Sequence, residues 1–145
     1  MPFYFAYGSN MHRTRIERRL GPVKDLGRGR LDGFRHRFDK CGDDGTAKGN
    51  VSPAAGGAVH GVLYELTGEQ LQRLAGFERG YRCEVRVVVR LATGERIAAV
   101  AFEADPEVPR WPPSQAYLEH YRCGMIEHEL PEDYRMQILA EGRRA

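Results

Sequence analysis

Cysteine is scarce in this chain: three in 145 residues, Cys41, Cys83 and Cys123, odd in number and far apart. That argues against a disulfide framework and for a reducing, cytoplasmic compartment. No CxxC or HxxxH spacing suggests zinc, and the five histidines, His12, His36, His60, His120 and His128, are scattered, so no metal site is expected. Also missing is any apolar run near the ~20 residues that a membrane helix needs. The N-terminus has no basic stretch followed by a long apolar one, so neither a signal peptide nor a membrane partner is expected. No internal repeat or linker breaks the sequence, and its 145 residues suit one domain, 1–145, with a usable core.

Charge of one sign is also lacking overall, since 22 Lys/Arg face 20 Asp/Glu for a net +2. The balance is uneven, with net +6 over residues 1–40 and net −4 over residues 41–145. Arg13, Arg15, Arg18 and Arg19 crowd one segment, and Arg28, Arg30, Arg35 and Arg37 follow. A nucleic-acid footprint is one reading. Against it, Glu17, Asp25, Asp32 and Asp39 interrupt the run and no aromatic–basic stacking motif accompanies it. A solvated arginine-rich face that draws in a small anionic substrate fits better, and no nucleic-acid partner is expected.

What is present begins with Tyr4-Phe5-Ala6-Tyr7-Gly8-Ser9-Asn10-Met11. Phe3 to Tyr7 reads as a buried strand, which stops at Gly8-Ser9-Asn10, and a helix-like segment from Met11 to Leu20 ends at Gly21-Pro22. A strand that meets a helix through small polar residues leaves several backbone N–H groups aimed at one spot. Such a nest holds a carboxylate or phosphate without a charged side chain. The alternative is a plain turn with Asn10 as N-cap.

Short strands at Gly29–Asp32 and Arg35–Asp39 flank a bend at Gly33-Phe34, Cys41 to Gly49 reads as an exposed loop, and a short strand at residues 50–52 leads into a loop over Pro53–Gly57. Val59 to Leu66 is a buried strand. Thr67 and Gln70 have capping-box spacing at the start of a helix that Gly76 closes. From Tyr81 to Leu91 the sequence alternates, which predicts a long antiparallel strand with Tyr81, Cys83, Val85, Val87, Val89 and Leu91 on the core and Arg82, Glu84, Arg86 and Arg90 outside. Thr93-Gly94-Glu95 turns it into a partner strand, Arg96–Glu103. Ser114 caps a helix to about Glu129, Pro131 opens a last one over Glu132 to Glu141, and Arg143-Arg144-Ala145 is a frayed end. Strands in series with helices inserted between and after them give α+β, with a small curved antiparallel β-barrel flanked by helices.

Phe77-Glu78-Arg79-Gly80-Tyr81 is the second informative stretch. Glu78 falls at a helix-to-strand junction, where rigid elements can hold a carboxylate against a cavity; the alternative is a surface Glu paired with Arg79 or Arg82. Tyr7-Gly8-Ser9-Asn10, the Glu78…Tyr81 segment and Pro112-Pro113-Ser114-Gln115-Ala116-Tyr117 together resemble the gamma-glutamylcyclotransferase (AIG2-like) family. Arg30-Leu31-Asp32-Gly33-Phe34, His60-Gly61-Val62-Leu63-Tyr64 and Leu130-Pro131-Glu132-Asp133-Tyr134 extend the resemblance, in order, over nearly the whole chain.

The resemblance implies a β-barrel flanked by helices, a substrate loop at Tyr7-Gly8-Ser9-Asn10, further substrate contacts at Tyr81 and Tyr117, and Glu78 as general acid/base. It implies a small γ-glutamyl substrate cyclised to 5-oxoproline, with no cofactor. The Glu78-to-Tyr81 spacer is shorter than in many members, so a tighter strand entry is expected. Glutathione-specific relatives typically carry Tyr-Gly-Ser-Leu; Asn10 here ranks glutathione lower. For Glu78 to take a proton from an ammonium, a mostly apolar pocket with Arg79 turned away is expected. A catalytically silent module that keeps the pocket for a small carboxylate is the other reading.

Overall fold

The structure, a computed structural model, describes residues 2–144. Its strands are β1 (Phe3–Ala6), β2 (Lys24–Cys41), β3 (Ala47–Glu65), β4 (Arg82–Arg90) and β5 (Arg96–Glu103). Its helices are α1 (Arg13–Leu20), α2 (Gly68–Phe77), α3 (Gln115–Glu127) and α4 (Glu132–Arg144), with a 3-10 turn at Ser9–Met11. The strands close into a barrel in the order β1-β3-β2-β4-β5. β1 runs antiparallel to β3 (Phe3 opposite Glu65, Ala6 opposite Val62) but meets β5 in parallel at Tyr4 and Val100, so the barrel is mixed at this one seam rather than wholly antiparallel.

β2 and β3 are each much longer than the short strands read from the sequence. Their ladder runs from Lys24 opposite Glu65 to Cys41 opposite Ala47, with irregularities after Asp25, Asp32 and Arg37. Bulges keep a long strand paired while bending it around the barrel, and Gly27 and Gly33 supply the left-handed φ of 82° and 80° at two of them. The residues expected as a loop at 53–57 therefore lie within β3, whereas the loop expected at 41–49 is present but shorter, confined to residues 42–46 between the two strands.

Alternation puts one set of side chains inside the barrel and the other outside. Phe5, Leu31, Val51, Val59, Leu63, Val88 and Ile97 fill the interior. Tyr64, Leu66, Ile16, Leu20, Leu74, Met125, Leu130 and Ile138 form a second core between the barrel wall and the helices. On β4 the expected faces are reversed. Val85 and Val87 stand 64% and 57% exposed, and Cys83 is exposed as well, whereas Val88 is buried. The inward side is polar at one end because Arg86 finds a partner there, with Nε 2.8 Å from the Glu103 carboxylate and the guanidinium 5.0 Å from the Phe34 ring centre. A satisfied ion pair lets a charged residue take an inward position that a hydrophobic pattern alone would assign to valine.

The helix ends follow their capping residues. Thr67 and Gln70 form the reciprocal box at α2, and the Ser114 hydroxyl accepts the Tyr117 N–H (3.1 Å) at α3. Pro131 contributes the carbonyl that accepts the Arg135 N–H (3.0 Å) as α4 begins. Arg143 and Arg144 belong to α4 rather than to a frayed end, and Ala145 lies outside the described residues. No helix among the described residues is long and apolar enough to cross a membrane.

Candidate active site

β1 ends where the chain must turn into α1, and the turn is made by Gly8. The Met11 N–H closes it on the Gly8 carbonyl (3.0 Å), so the amides at its head have no partner within the turn. Ser9 and Asn10 do not cap it, since neither the 3-10 turn nor α1 has a side-chain cap and the N-cap of α1 is His12. Both side chains are occupied elsewhere. Ser9 Oγ accepts from Arg15 Nε (3.1 Å), and Asn10 Oδ1 accepts from Arg19 (3.2 Å). Asn10 Nδ2 donates to Tyr4 Oη (3.2 Å) and to Glu78 Oε1 (3.0 Å).

Glu78 is the C-cap of α2, with its N–H 3.2 Å from the Leu74 and Ala75 carbonyls. The Tyr81 N–H returns to the Glu78 carbonyl (3.3 Å) around Gly80, whose φ of 81° favours glycine. This is the tight strand entry that the short spacer called for. Arg79 points outward to Asp43 (3.4 Å) with both side chains exposed, and Arg82 pairs with Glu84 and Asp105. Neither arginine neutralises Glu78.

These residues line a cleft of about 290 Å³ that also takes in Tyr7, Tyr81, Tyr117 and Lys40. Thus Tyr7, Gly8, Ser9, Asn10, Glu78, Tyr81 and Tyr117, chosen from the sequence, all meet at one place. The expected apolar character holds only in part. Aromatic rings form the walls, but Arg15 and Arg19 enter from α1 because their turn of helix starts directly at the Gly8–Asn10 loop. Burial drives the Glu78 carboxyl above its ordinary range, while Arg19, Arg15 and the Asn10 hydrogen bond oppose the rise without cancelling it.

The back wall converges on Gly49. Its N–H donates to Tyr117 Oη (2.9 Å), and its carbonyl accepts from Tyr81 Oη (2.6 Å). Behind it Tyr121 Oη lies 2.8 Å from His36 Nε2. A Cβ at position 49 would overlap the Tyr121 hydroxyl, and one at Gly8 would lie 3.1 Å from it. The sequence reading placed none of Tyr4, Arg15, Arg19, His36, Gly49 or Tyr121 among the site residues. The only signal for the arginines was the basic crowding after Asn10, and nothing local marks Gly49 or Tyr121. Among the described residues no group of three or more His, Cys, Asp or Glu side chains is placed to hold a metal ion.

A family model described as "Gamma-glutamyl cyclotransferase, AIG2-like" matches residues 4–123. No curated protein matches the sequence. Among solved structures, one titled "Gamma-glutamyl cyclotransferase" superposes with a TM-score of 0.85 at 24% identity, covering 96% of this chain and 86% of that one. An uncharacterized protein, loc79017 from Homo sapiens, gives 0.82 at 26% identity, covering 95% and 86%. YkqA from Bacillus subtilis gives 0.82 at 22% identity, with 98% of this chain covering 54% of that longer one.

Proposed function

Because the chain belongs to the gamma-glutamyl cyclotransferase, AIG2-like family, we propose that it cyclises a small γ-glutamyl compound to 5-oxoproline and releases an amine or amino acid. The substrate's α-amine attacks its own γ-carbonyl carbon, the C–N bond to the leaving group breaks, and a five-membered lactam remains. Attack within one molecule needs no nucleophilic Ser or Cys. The protein has to fold the substrate into the attacking shape and move the protons that the α-nitrogen gives up. The α-ammonium loses one proton before attack and a second as the lactam N–H forms; Glu78 takes them in turn and passes them to the departing nitrogen, which leaves as an ammonium, so Glu78 ends the cycle as it began.

The observation that carries this reading is the setting of Glu78. A free α-amine titrates near ~7.8 and an ordinary Glu near ~4.3, so proton transfer between them is uphill by roughly 5 kcal/mol. Burial narrows the gap by raising the carboxyl. Arg79, which would lower it, is committed to Asp43 at the surface. Asn10 fixes one carboxylate oxygen and leaves the other for the substrate. Arg15 and Arg19 give the cleft a positive field suited to a substrate that carries a carboxylate.

The test is a cyclisation assay. Purified protein is incubated with γ-glutamyl-alanine, ε-linked γ-glutamyl-lysine and glutathione, and 5-oxoproline is followed by mass spectrometry with Glu78→Gln in parallel. Product from the wild type and none from Glu78→Gln is expected. Equal product from both would remove Glu78 from the mechanism.

A further inference from the structure

Four tyrosines line the cleft, and they are not equivalent. A phenol has one proton to donate and two lone pairs to accept with. Tyr7 has spent its proton on the Phe102 carbonyl. Tyr81 has spent its own on the Gly49 carbonyl (2.6 Å). Neither can donate to a substrate without breaking a buried bond. Tyr4 and Tyr117 instead accept, Tyr4 from Asn10 Nδ2 (3.2 Å) and Tyr117 from the Gly49 N–H (2.9 Å), so both keep a proton. Tyr4 stands beside the Asn10–Glu78 hydrogen bond, on the side that handles the α-amine. Tyr117 stands on the Gly49 wall.

We infer that Tyr117 donates the hydrogen bond to the γ-carbonyl oxygen of the substrate, which leaves the Gly8–Asn10 amides to hold the α-carboxylate. The inference rests on the γ-glutamyl reading above. When the α-amine adds to the γ-carbon, the C=O π pair moves onto oxygen. A donor placed there stabilises the resulting oxyanion without itself losing a proton. When the C–N bond breaks, the pair returns to re-form C=O. Glu78 carries both protons that pass from the α-nitrogen to the departing nitrogen, and Tyr117 keeps its own.

The wall is built to present this hydroxyl. Burial raises the Tyr117 phenol, but the Gly49 amide and Tyr121 hold the rise to about 12, while burial pushes Tyr7 and Tyr81 well above the usual phenol range. The Tyr121 ring lies 5.3 Å behind that of Tyr117 and is anchored through its hydroxyl on buried His36. Tyr121 and His36 act as positioning residues.

The experiment compares Tyr117→Phe with Tyr81→Phe, since both variants remove one hydroxyl from Gly49 and share any scaffold loss. In turnover, Tyr117→Phe is expected to lose roughly 100-fold or more in kcat with little change in KM, and Tyr81→Phe less than about tenfold. In calorimetric binding, 5-oxoproline, which retains the former γ-carbonyl, is measured against cyclopentanecarboxylate, which lacks it. The wild type is expected to prefer 5-oxoproline; Tyr117→Phe loses about tenfold of that preference and Tyr81→Phe keeps it. Equal kinetic losses in the two variants, or an unchanged preference in Tyr117→Phe, overturns the role of Tyr117 while leaving the cyclisation reading standing. A wild type that turns over no γ-glutamyl compound and binds neither probe overturns both.

Discussion

Gly124→Ala sets two effects of similar size against each other. Gly124 lies inside α3 and is fully enclosed. In an open helix the change would stabilise by about 1 kcal/mol, because alanine loses less backbone entropy. Here α3 crosses the end of the Gly8–Asn10 loop at this residue, and a Cβ would lie 2.5 Å from both the His12 nitrogen and the Met11 carbonyl carbon. Those are backbone atoms and cannot rotate aside. Forcing one methyl into a packed site costs about 1–3 kcal/mol, so the net change is destabilising by up to about 2 kcal/mol. At roughly 3–4 °C per kcal/mol for a chain of this size, Tm falls by as much as about 7 °C. The functional loss is larger, because the wedge pushes directly on the loop that carries Gly8, Ser9 and Asn10; a misplacement of ~1 Å can cost about 100-fold in rate. Calorimetry and kcat/KM on the proposed γ-glutamyl substrate read the two effects. Gly76→Ala in α2 is the control, since nothing lies within 4 Å of a Cβ there, and it is expected to raise Tm. If Gly124→Ala stabilises as much as Gly76→Ala, the close approach of α3 to the loop is wrong.

Three further outcomes follow from charged groups. Since burial raises the Glu78 carboxyl in the fold, its linkage favours the folded state below the ordinary carboxylate range and is lost as pH rises through the raised value; Glu78→Gln should therefore be more stable than wild type near neutral pH and no more stable at about pH 3, by urea titration. Arg19 opposes the rise of Glu78 and also holds Asn10 Oδ1, so Arg19→Met should move the acid limb of the kcat/KM–pH profile upward, and a limb that moves down would refute the arrangement. His128 Nε2 meets Asp25 at 2.6 Å. Burial pushes His128 down, but Asp25 and the Gly124 carbonyl outweigh it and raise the imidazole, while Asp25 is held low by His128 and the Gly27 amide against its own burial. The stability gained from this pair should thus vanish as pH rises through the His128 value and again as it falls through that of Asp25, and His128→Leu should cost about 1.5–3 kcal/mol near pH 6 and much less near pH 9, by urea denaturation.

The barrel was legible in the sequence where patterns are local. The β4–β5 hairpin, the Thr67 and Ser114 caps and the Glu78 junction each depend on residues a few positions apart. Period-two reading broke down on β2 and β3, because glycine bulges at Gly27 and Gly33 change the phase of alternation while the strand continues. It assigned β4 to the wrong face for a different reason. The inward positions are filled by an ion pair whose other half, Glu103, lies on β5, and no pattern within β4 announces it. In the cleft, Asn10 and Glu78 stood out because turn chemistry and an element boundary mark them. Tyr4, Arg15, Arg19 and Tyr121 look like ordinary core or surface residues until the Gly8 turn and α3 bring them together.

The meeting of two tyrosine hydroxyls at Gly49, with Tyr121 wedged behind it, divides the cleft into a part that cannot vary and a part that can. The back wall tolerates no side chain at position 49, where the Tyr121 hydroxyl already stands, and Tyr81 and Tyr117 are both fastened to that residue's backbone. The rim carries no such packing, since Asp43 and Arg79 are about three-quarters exposed and meet each other at 3.4 Å. For the proposed cyclisation, new leaving-group preferences are therefore most accessible to random search at positions 43 and 79, and a library restricted to them should retain folding in nearly every member while redistributing substrate choice.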